Sequence, residues 1–124
     1  MTESTAEKLS TVAIKLLKFV LLDEWKLSQD KVAELLNIDA ITCKKLLTDE
    51  KVLSILDEDL LIRVSGIINI YKALRGIFMS QEQANKWLFK PNKTYDELSA
   101  IEFMIQNPNQ NIPVVMNDVK SQLR

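Results

Sequence analysis

The segment Ala84-Asn85-Lys86-Trp87-Leu88-Phe89-Lys90-Pro91-Asn92 reads as the end of a helix and the start of a turn. Trp87 and Leu88 are large apolar residues in its last turn. Lys86 and Lys90 suit the negative end of the helix macrodipole. Pro91 has no backbone N–H and disfavours the α region at Lys90, so the helix stops there. Asn92 then suits a local turn, because its short side chain bonds nearby backbone. Upstream, Ser80-Gln81-Glu82-Gln83 reads as a capping box that starts this helix and turns Ala84, Trp87 and Leu88 inward. Before it, Leu60, Val64, Ile67, Tyr71, Leu74 and Phe78 recur at four- and three-residue steps, the stripe of one long amphipathic helix. Leu61, Ile68 and Ile77 thicken the stripe. Gly66 costs that helix about 1 kcal/mol against Ala, a cost that close approach of another backbone offsets, within the chain or across a dimer. On spacing alone, Trp87 is a core aromatic docked on the long helix.

The flanking segments are helical as well. After a frayed end at residues 1–6, Leu9, Val12, Ala13, Leu16, Leu17, Val20 and Leu21 form a helical stripe from Glu7 to Trp25. A polar break follows at Asp23 to Lys26. Ser28 is an N-cap, and Val32, Leu35 and Leu36 point inward. Asn37 suits a left-handed C′ position, and Asp39 caps a second short helix, Ala40 to Leu47. A helix, a turn of about four residues and another helix is helix-turn-helix spacing. Residues 51–56 suit a short helix. Past Pro91, Thr94 reads as the cap of a helix through Leu98, Ile101, Phe103, Met104 and Ile105. Asn107 to Asn111 reads as a loop. Ile112 to Arg124 is the last helix, with Pro113 in its first turn and Val115, Val119 and Leu123 on one stripe. The expected class is all-α: a helix-turn-helix bundle in residues 1–56 and a small helical domain in residues 57–124, sharing the long helix.

With 124 residues, the chain suits one domain or two very small ones. Charged residues make up 27% and nearly cancel, leaving a net charge of −1, so a strongly basic nucleic-acid coat is excluded. A single cysteine, Cys43, forms no internal disulfide, which points to the reducing cytoplasm. The acidic, polar N-terminus is not ordered like a signal peptide. The chain has no histidine, which removes His-based triads and His metal sites. There is no Gly-rich phosphate loop. The acidic pairs Asp23-Glu24, Asp49-Glu50 and Asp96-Glu97 sit at helix boundaries, where carboxylates serve the dipole and solvation. These features point away from an enzyme and call for no cofactor.

Two resemblances give the chain a functional reading. Ser28-Gln29, Ala33, Leu36-Asn37-Ile38-Asp39 and Thr42 resemble the Xre/Cro type of helix-turn-helix. That resemblance implies contact of Gln29, Thr42, Lys44 and Lys45 with operator DNA, with Ser28 near a phosphate. Read without it, the same residues are a packing motif: residues 26–50 hold no Arg, and Asp39, Asp49 and Glu50 are nearby. Ala84, Trp87, Leu88, Pro91 and Asn92, following such a motif, resemble the toxin-binding domain of Xre/MbcA/ParS-type antitoxins. That resemblance implies a cytoplasmic, homodimeric antitoxin whose partner is a RES-like, NAD-consuming toxin. In this picture Asn117, Lys120, Gln122 and Arg124 approach the toxin, while Trp87, Leu88, Pro91 and Asn92 are a structural landmark. Alternatively, the last helix only caps the core. The rival functions are a plain transcriptional regulator and a helical adaptor that no longer binds DNA.

Overall fold

The computed structural model describes residues 5–48 and 58–123, with side chains from Thr11 onward in the first segment. Among these residues the chain is all-α, with seven α-helices and no strand. The helices are α1 (Thr5–Lys18), α2 (Gln29–Leu36), α3 (Ala40–Thr48), α4 (Glu58–Ile77), α5 (Gln81–Phe89), α6 (Ala100–Gln106) and α7 (Pro108–Lys120). None of them is long and apolar enough to cross a membrane. The chain forms two compact units, Met1–Ser65 and Gly66–Arg124, and the division falls inside α4. The short helix expected at 51–56, residues 1–4 of the expected frayed end, and Arg124 lie outside the described residues.

In the first unit, α1 does not run to Trp25 as one α-helix. It passes into a π-helical segment, Phe19–Glu24, in which Trp25 N–H donates to Val20 O at 2.8 Å. A π turn takes in one more residue and rotates everything after it relative to an α-helical register. Trp25, expected in a polar break, is therefore only 2% exposed. Among the described residues its indole N–H has no hydrogen-bond partner, an omission that costs about 1–3 kcal/mol. Leu17, Val20 and Leu21 are buried as their spacing requires, and Ile14 joins them. Val12, expected on the stripe, is exposed.

The termini of α2 and α3 follow their sequence signals. Ser28 Oγ accepts from Lys31 N–H at 3.2 Å, and Asp39 Oδ1 accepts from Thr42 N–H at 2.6 Å. Asn37 takes φ 56°. Its N–H donates to Glu34 O, and Ile38 N–H donates to Ala33 O at 3.0 Å. This pair satisfies two of the orphan carbonyls at the end of α2. A third is met from α4, where buried Arg63 donates Nε–H to Leu36 O at 2.7 Å.

In the second unit, Gly66 marks where the buried side of α4 lies. Gly66, Ile67, Ile70, Ala73 and Leu74 are buried, whereas Tyr71 and Phe78 are half-buried. Of the expected stripe, Leu60, Val64, Ile67 and Leu74 are buried as their spacing requires, while Tyr71 and Phe78 lie at its edge and Ile70 and Ala73 join the buried face. A Cβ on Gly66 would stand 2.6 Å from Ile112 Cγ2. The close neighbour is therefore a side chain of α7, not the backbone that the sequence suggested. Ser80 caps α5 through Gln83 N–H at 3.2 Å, but Gln83 Oε1 accepts from Met79 N–H instead of closing the box on Ser80.

Beyond Pro91 the elements differ from the sequence reading. Thr94 caps no helix: Asn92 Oδ1 accepts from Thr94 N–H at 2.9 Å, and a single 3₁₀ turn, Lys93–Tyr95, follows. Asp96 and Glu97 then both take positive φ, which ends the turn. The true cap is Ser99, whose hydroxyl accepts from Glu102 N–H while the Glu102 carboxylate accepts from Ser99 N–H. The expected loop at Asn107–Asn111 is the first turn of α7, with Pro108 at its start. Pro108 needs no amide donor there, and Asn111 Nδ2 donates to Phe103 O at 2.7 Å, closing the end of α6. Pro113 consequently lies inside α7, not in its first turn. Ile112, Val115 and Val119 are buried, whereas Leu123 is 42% exposed.

The two glycines of α4 should respond oppositely to Ala. At Gly66 the obstructing atom belongs to a β-branched, fully buried side chain with restricted χ1. Overpacking of this kind costs about 1–3 kcal/mol, so Gly66→Ala should lower stability in urea titration despite its gain in helix propensity. At Gly76 the obstructing atom is the far end of exposed Leu123. It can move, and Gly76→Ala should raise stability by roughly 0.5–1 kcal/mol.

Candidate functional site

Two surfaces hold the residues singled out by the sequence, one in each unit. In the first, α2 packs on α3, and buried Cys43 donates its thiol to Gln29 O at 3.7 Å. Burial pushes the Cys43 thiol pKa up, and Asp30 adds to the shift; a thiol so held is a packing group, not a reactive one. Ser28, Gln29, Lys44 and Lys45 are exposed, and Thr42 is half-buried. Ile41, 72% exposed, lies in the same turn of α3 as Thr42.

The positive charge of this face is tempered. The Asp39 carboxyl is held below its ordinary range, chiefly by the Thr42 N–H bond and then by the Thr42 hydroxyl, with Lys45 adding to the effect. Thr42 thus spends its amide and hydroxyl on the cap. Lys31 is paired with Glu34 at 3.3 Å on the exposed side of α2. Lys44 and Lys45 are exposed on α3, with Lys45 close enough to Asp39 to act on its carboxyl.

The second surface is the corner after α5. Ala84 and Leu88 are fully buried, but Trp87 is only half-buried, which corrects its reading as a core aromatic. It stands between two clefts. One, of about 400 Å³, has Ile77, Phe78 and Met79 on its wall and Lys86 and Lys90 at its rim. The other, of about 330 Å³, is bounded by Trp87, Asn92, Thr94, Tyr95, Asp118 and Gln122. Tyr95 is buried, its ring stacked on Phe103 with centroids 4.5 Å apart. Its hydroxyl donates to Asp118 Oδ2 at 2.7 Å. Burial raises the Tyr95 pKa strongly, and the bond to Asp118 raises it further.

The second cleft joins the landmark corner to the C-terminal segment: Trp87 and Asn92 share it with Gln122. Asn117 and Lys120 are exposed on α7 but do not line it. Pro91 is exposed and Leu88 belongs to the core. Sequence reasoning missed Tyr95 and Asp118. Tyr95 was placed inside a helix that does not form, and no spacing links it to a residue 23 positions later. Among the described residues no group of three or more His, Cys, Asp or Glu side chains is placed to hold a metal ion.

No family model matches the chain. Over 88 residues it is 34% identical to a protein of Sinorhizobium fredii (strain NBRC 101917 / NGR234) called "Uncharacterized protein y4oB". The aligned stretch takes in 71% of this chain and 67% of that protein. The chain belongs to the y4oB family. This kinship extends over most of both chains and carries no statement of activity.

The Asp39 cap gives a pH-dependent prediction. A carboxyl with a lowered folded-state pKa stabilises fully above its unfolded-state value and loses that contribution as pH falls through the folded value. Near neutral pH, Asp39→Ala should therefore melt at a lower temperature than the parent. The difference should close as the pH is brought below the ordinary carboxylate range. Thermal unfolding of both proteins over an acid-to-neutral series checks this.

Proposed function

We propose that the chain is an antitoxin that binds a cognate toxin through its C-terminal unit. The observation that supports the reading best is the convergence of the Trp87–Asn92 corner and the tail residue Gln122 on one cleft. The resemblance of this corner to the toxin-binding domain of Xre/MbcA/ParS-type antitoxins makes a RES-like, NAD-consuming protein the expected partner. Asn117 and Lys120, exposed on α7, extend the same C-terminal element outward. An exposed helix end can approach a partner's cleft without unfolding the core beneath it.

The reading also gives the first unit a role. In it, α3 is a recognition helix, with exposed Lys44 and Lys45 at phosphates and Gln29 at the duplex edge. A two-lysine face binds weakly by itself. Two copies on linked half-sites gain effective concentration, which favours a homodimer on operator DNA. A plain regulator would keep this face and lack the toxin partner. A helical adaptor would keep neither.

Co-expression with a toxin encoded beside the chain's own gene tests the main claim. Growth should be restored by the full chain. A chain ending at Lys120 keeps Ile112, Val115 and Val119 and should rescue less well. Soluble full-length protein with growth still inhibited would rule out the antitoxin reading. For DNA, the parent protein should shift a fragment of its own promoter in a gel, and Lys44→Glu with Lys45→Glu should abolish the shift. A variant pair that binds as well as the parent would remove α3 from the interface.

A further inference from the structure

We propose that the cleft between Trp87 and Asp118 is a guanidinium-binding site. Its charge and the two carbonyl-type oxygens left uncommitted among the described residues, Asp118 Oδ1 and Gln122 Oε1, favour a cation that donates hydrogen bonds, beside the amide of Asn92 and the hydroxyls of Thr94 and Ser121. Asp118 is the one charged side chain on its wall, and no Lys or Arg lines it among the described residues. Asp118 Oδ2 accepts from Tyr95 at 2.7 Å, while Oδ1 accepts no hydrogen bond among the described residues. Gln122 donates its amide to Asp118 O at 3.4 Å, which turns the donor end of the amide to the backbone and leaves its Oε1 without a hydrogen bond among the described residues. Trp87 contributes a partly buried indole to the same wall.

A carboxylate beside an indole attracts a cation twice, through charge and through the ring quadrupole. It repels phosphates and carboxylates. Among cations, guanidinium suits the cleft best. It is planar, so it lies on an indole face, and it presents five donors in a fixed fork with no acceptor. A volume of about 330 Å³ sits at the lower end of ligand pockets, enough for the end of one side chain. The carboxylate is also held in place. Tyr95 is buried and stacked on Phe103, so the bond it makes fixes Asp118 before a ligand arrives.

The guanidinium has two possible sources: an arginine side chain of a protein partner, or a free guanidino compound. The inference rests on the chemistry of the cleft and holds whether or not the chain is an antitoxin.

The test uses the full ¹⁵N-labelled chain, because Trp25 and Trp87 give separate indole signals in a ¹H–¹⁵N spectrum. Agmatine and N-acetyl-arginine amide are titrated in parallel, with cadaverine and N-acetyl-lysine amide as charge-matched controls. Both guanidinium probes should shift the Trp87 indole signal saturably, with dissociation constants in the millimolar range. Each should bind more tightly than its ammonium control. Because agmatine carries one more charge than the capped arginine, each probe is compared with its own ammonium control: a larger ratio for the capped arginine identifies an arginine within a protein chain, and a larger ratio for agmatine identifies a free guanidino compound. Asp118→Asn still accepts from Tyr95 and should weaken binding about tenfold. Gln122→Ala, at an exposed position, should weaken it less, with the rest of the spectrum unchanged. The proposal fails if neither guanidinium probe shifts Trp87 saturably, if the ammonium controls bind equally well, or if folded Asp118→Asn and Gln122→Ala both bind like the parent.

Discussion

The hydrogen bond from the Tyr95 hydroxyl to Asp118, 2.7 Å long, organises the C-terminal unit. It joins the 3₁₀ turn after α5 to the last full turn of α7. The Tyr95 ring lies against Phe103 of α6 at an interplanar angle of 17°, so one side chain fixes three consecutive elements. Neither partner is easily replaced. Phe would keep the stack but leave the carboxylate of a half-buried residue without its donor. Burial and the bond to Asp118 both raise the Tyr95 pKa, which favours the protonated hydroxyl as donor. The wall that Asp118 presents to the cleft depends on this bond.

A second constraint runs through the whole chain. Its helices are short: α2, α3, α5 and α6 have between seven and nine residues each. Each such helix leaves up to four orphan amides and four orphan carbonyls, so end groups make up a large share of its backbone. Among the described residues the chain meets this with local side chains at Ser28, Asp39, Ser80, Asn92 and Ser99, whereas Asn107 at the start of α7 makes no side-chain capping bond. Where local partners are lacking at the ends, distant ones serve. Arg63 closes α2 and Asn111 closes α6. Reaching a carbonyl with a buried Arg is expensive in desolvation, yet a charged donor also makes the stronger bond, about 1.5–3 kcal/mol. That balance explains why an Arg is tolerated on the buried side of α4.

These constraints separate what the sequence disclosed from what it hid. The helix-turn-helix boundaries were legible because Ser28, Asn37 and Asp39 act on neighbours within three residues. The stop at Lys90 was legible for the same reason, since Pro91 acts on its own backbone. Burial of Trp25 was hidden, because a π turn changes helical phase without any marker in composition. The start of α6 was misplaced because Thr94 and Ser99 are both competent caps. The choice between them is made by Asp96 and Glu97, two non-glycine residues at positive φ. On α4 the burial of Leu60, Val64, Ile67 and Leu74 was legible from the period, but the partial exposure of Tyr71 and Phe78 was not, because both fit the same period and only the Ile112–Gly66 approach shows how far the enclosed side extends. Of the cleft, Trp87, Asn92 and Gln122 could be named in advance. Tyr95 and Asp118 could not, because their pairing is tertiary.

Half-burial of Trp87 follows from where α5 ends. One helix turn earlier, Ala84 faces the core, and the next residue, Leu88, fills it. Trp87 is thereby displaced to the edge, where an amphipathic ring is at home: its body covers apolar surface and its rim meets water. The same placement lets one ring line two dissimilar clefts. Lys86 and Lys90 border the apolar cleft, and Asp118 borders the polar one. Lys86 also pairs with Glu82 at 3.7 Å, so the charge beside the apolar cleft is partly met within α5, whereas Asp118 in the polar cleft is met by the Tyr95 hydroxyl. One ring therefore closes an apolar cleft beside its own helix and a polar cleft that α5, the 3₁₀ turn and α7 build together, which is why it is neither enclosed like Leu88 nor free like Phe89.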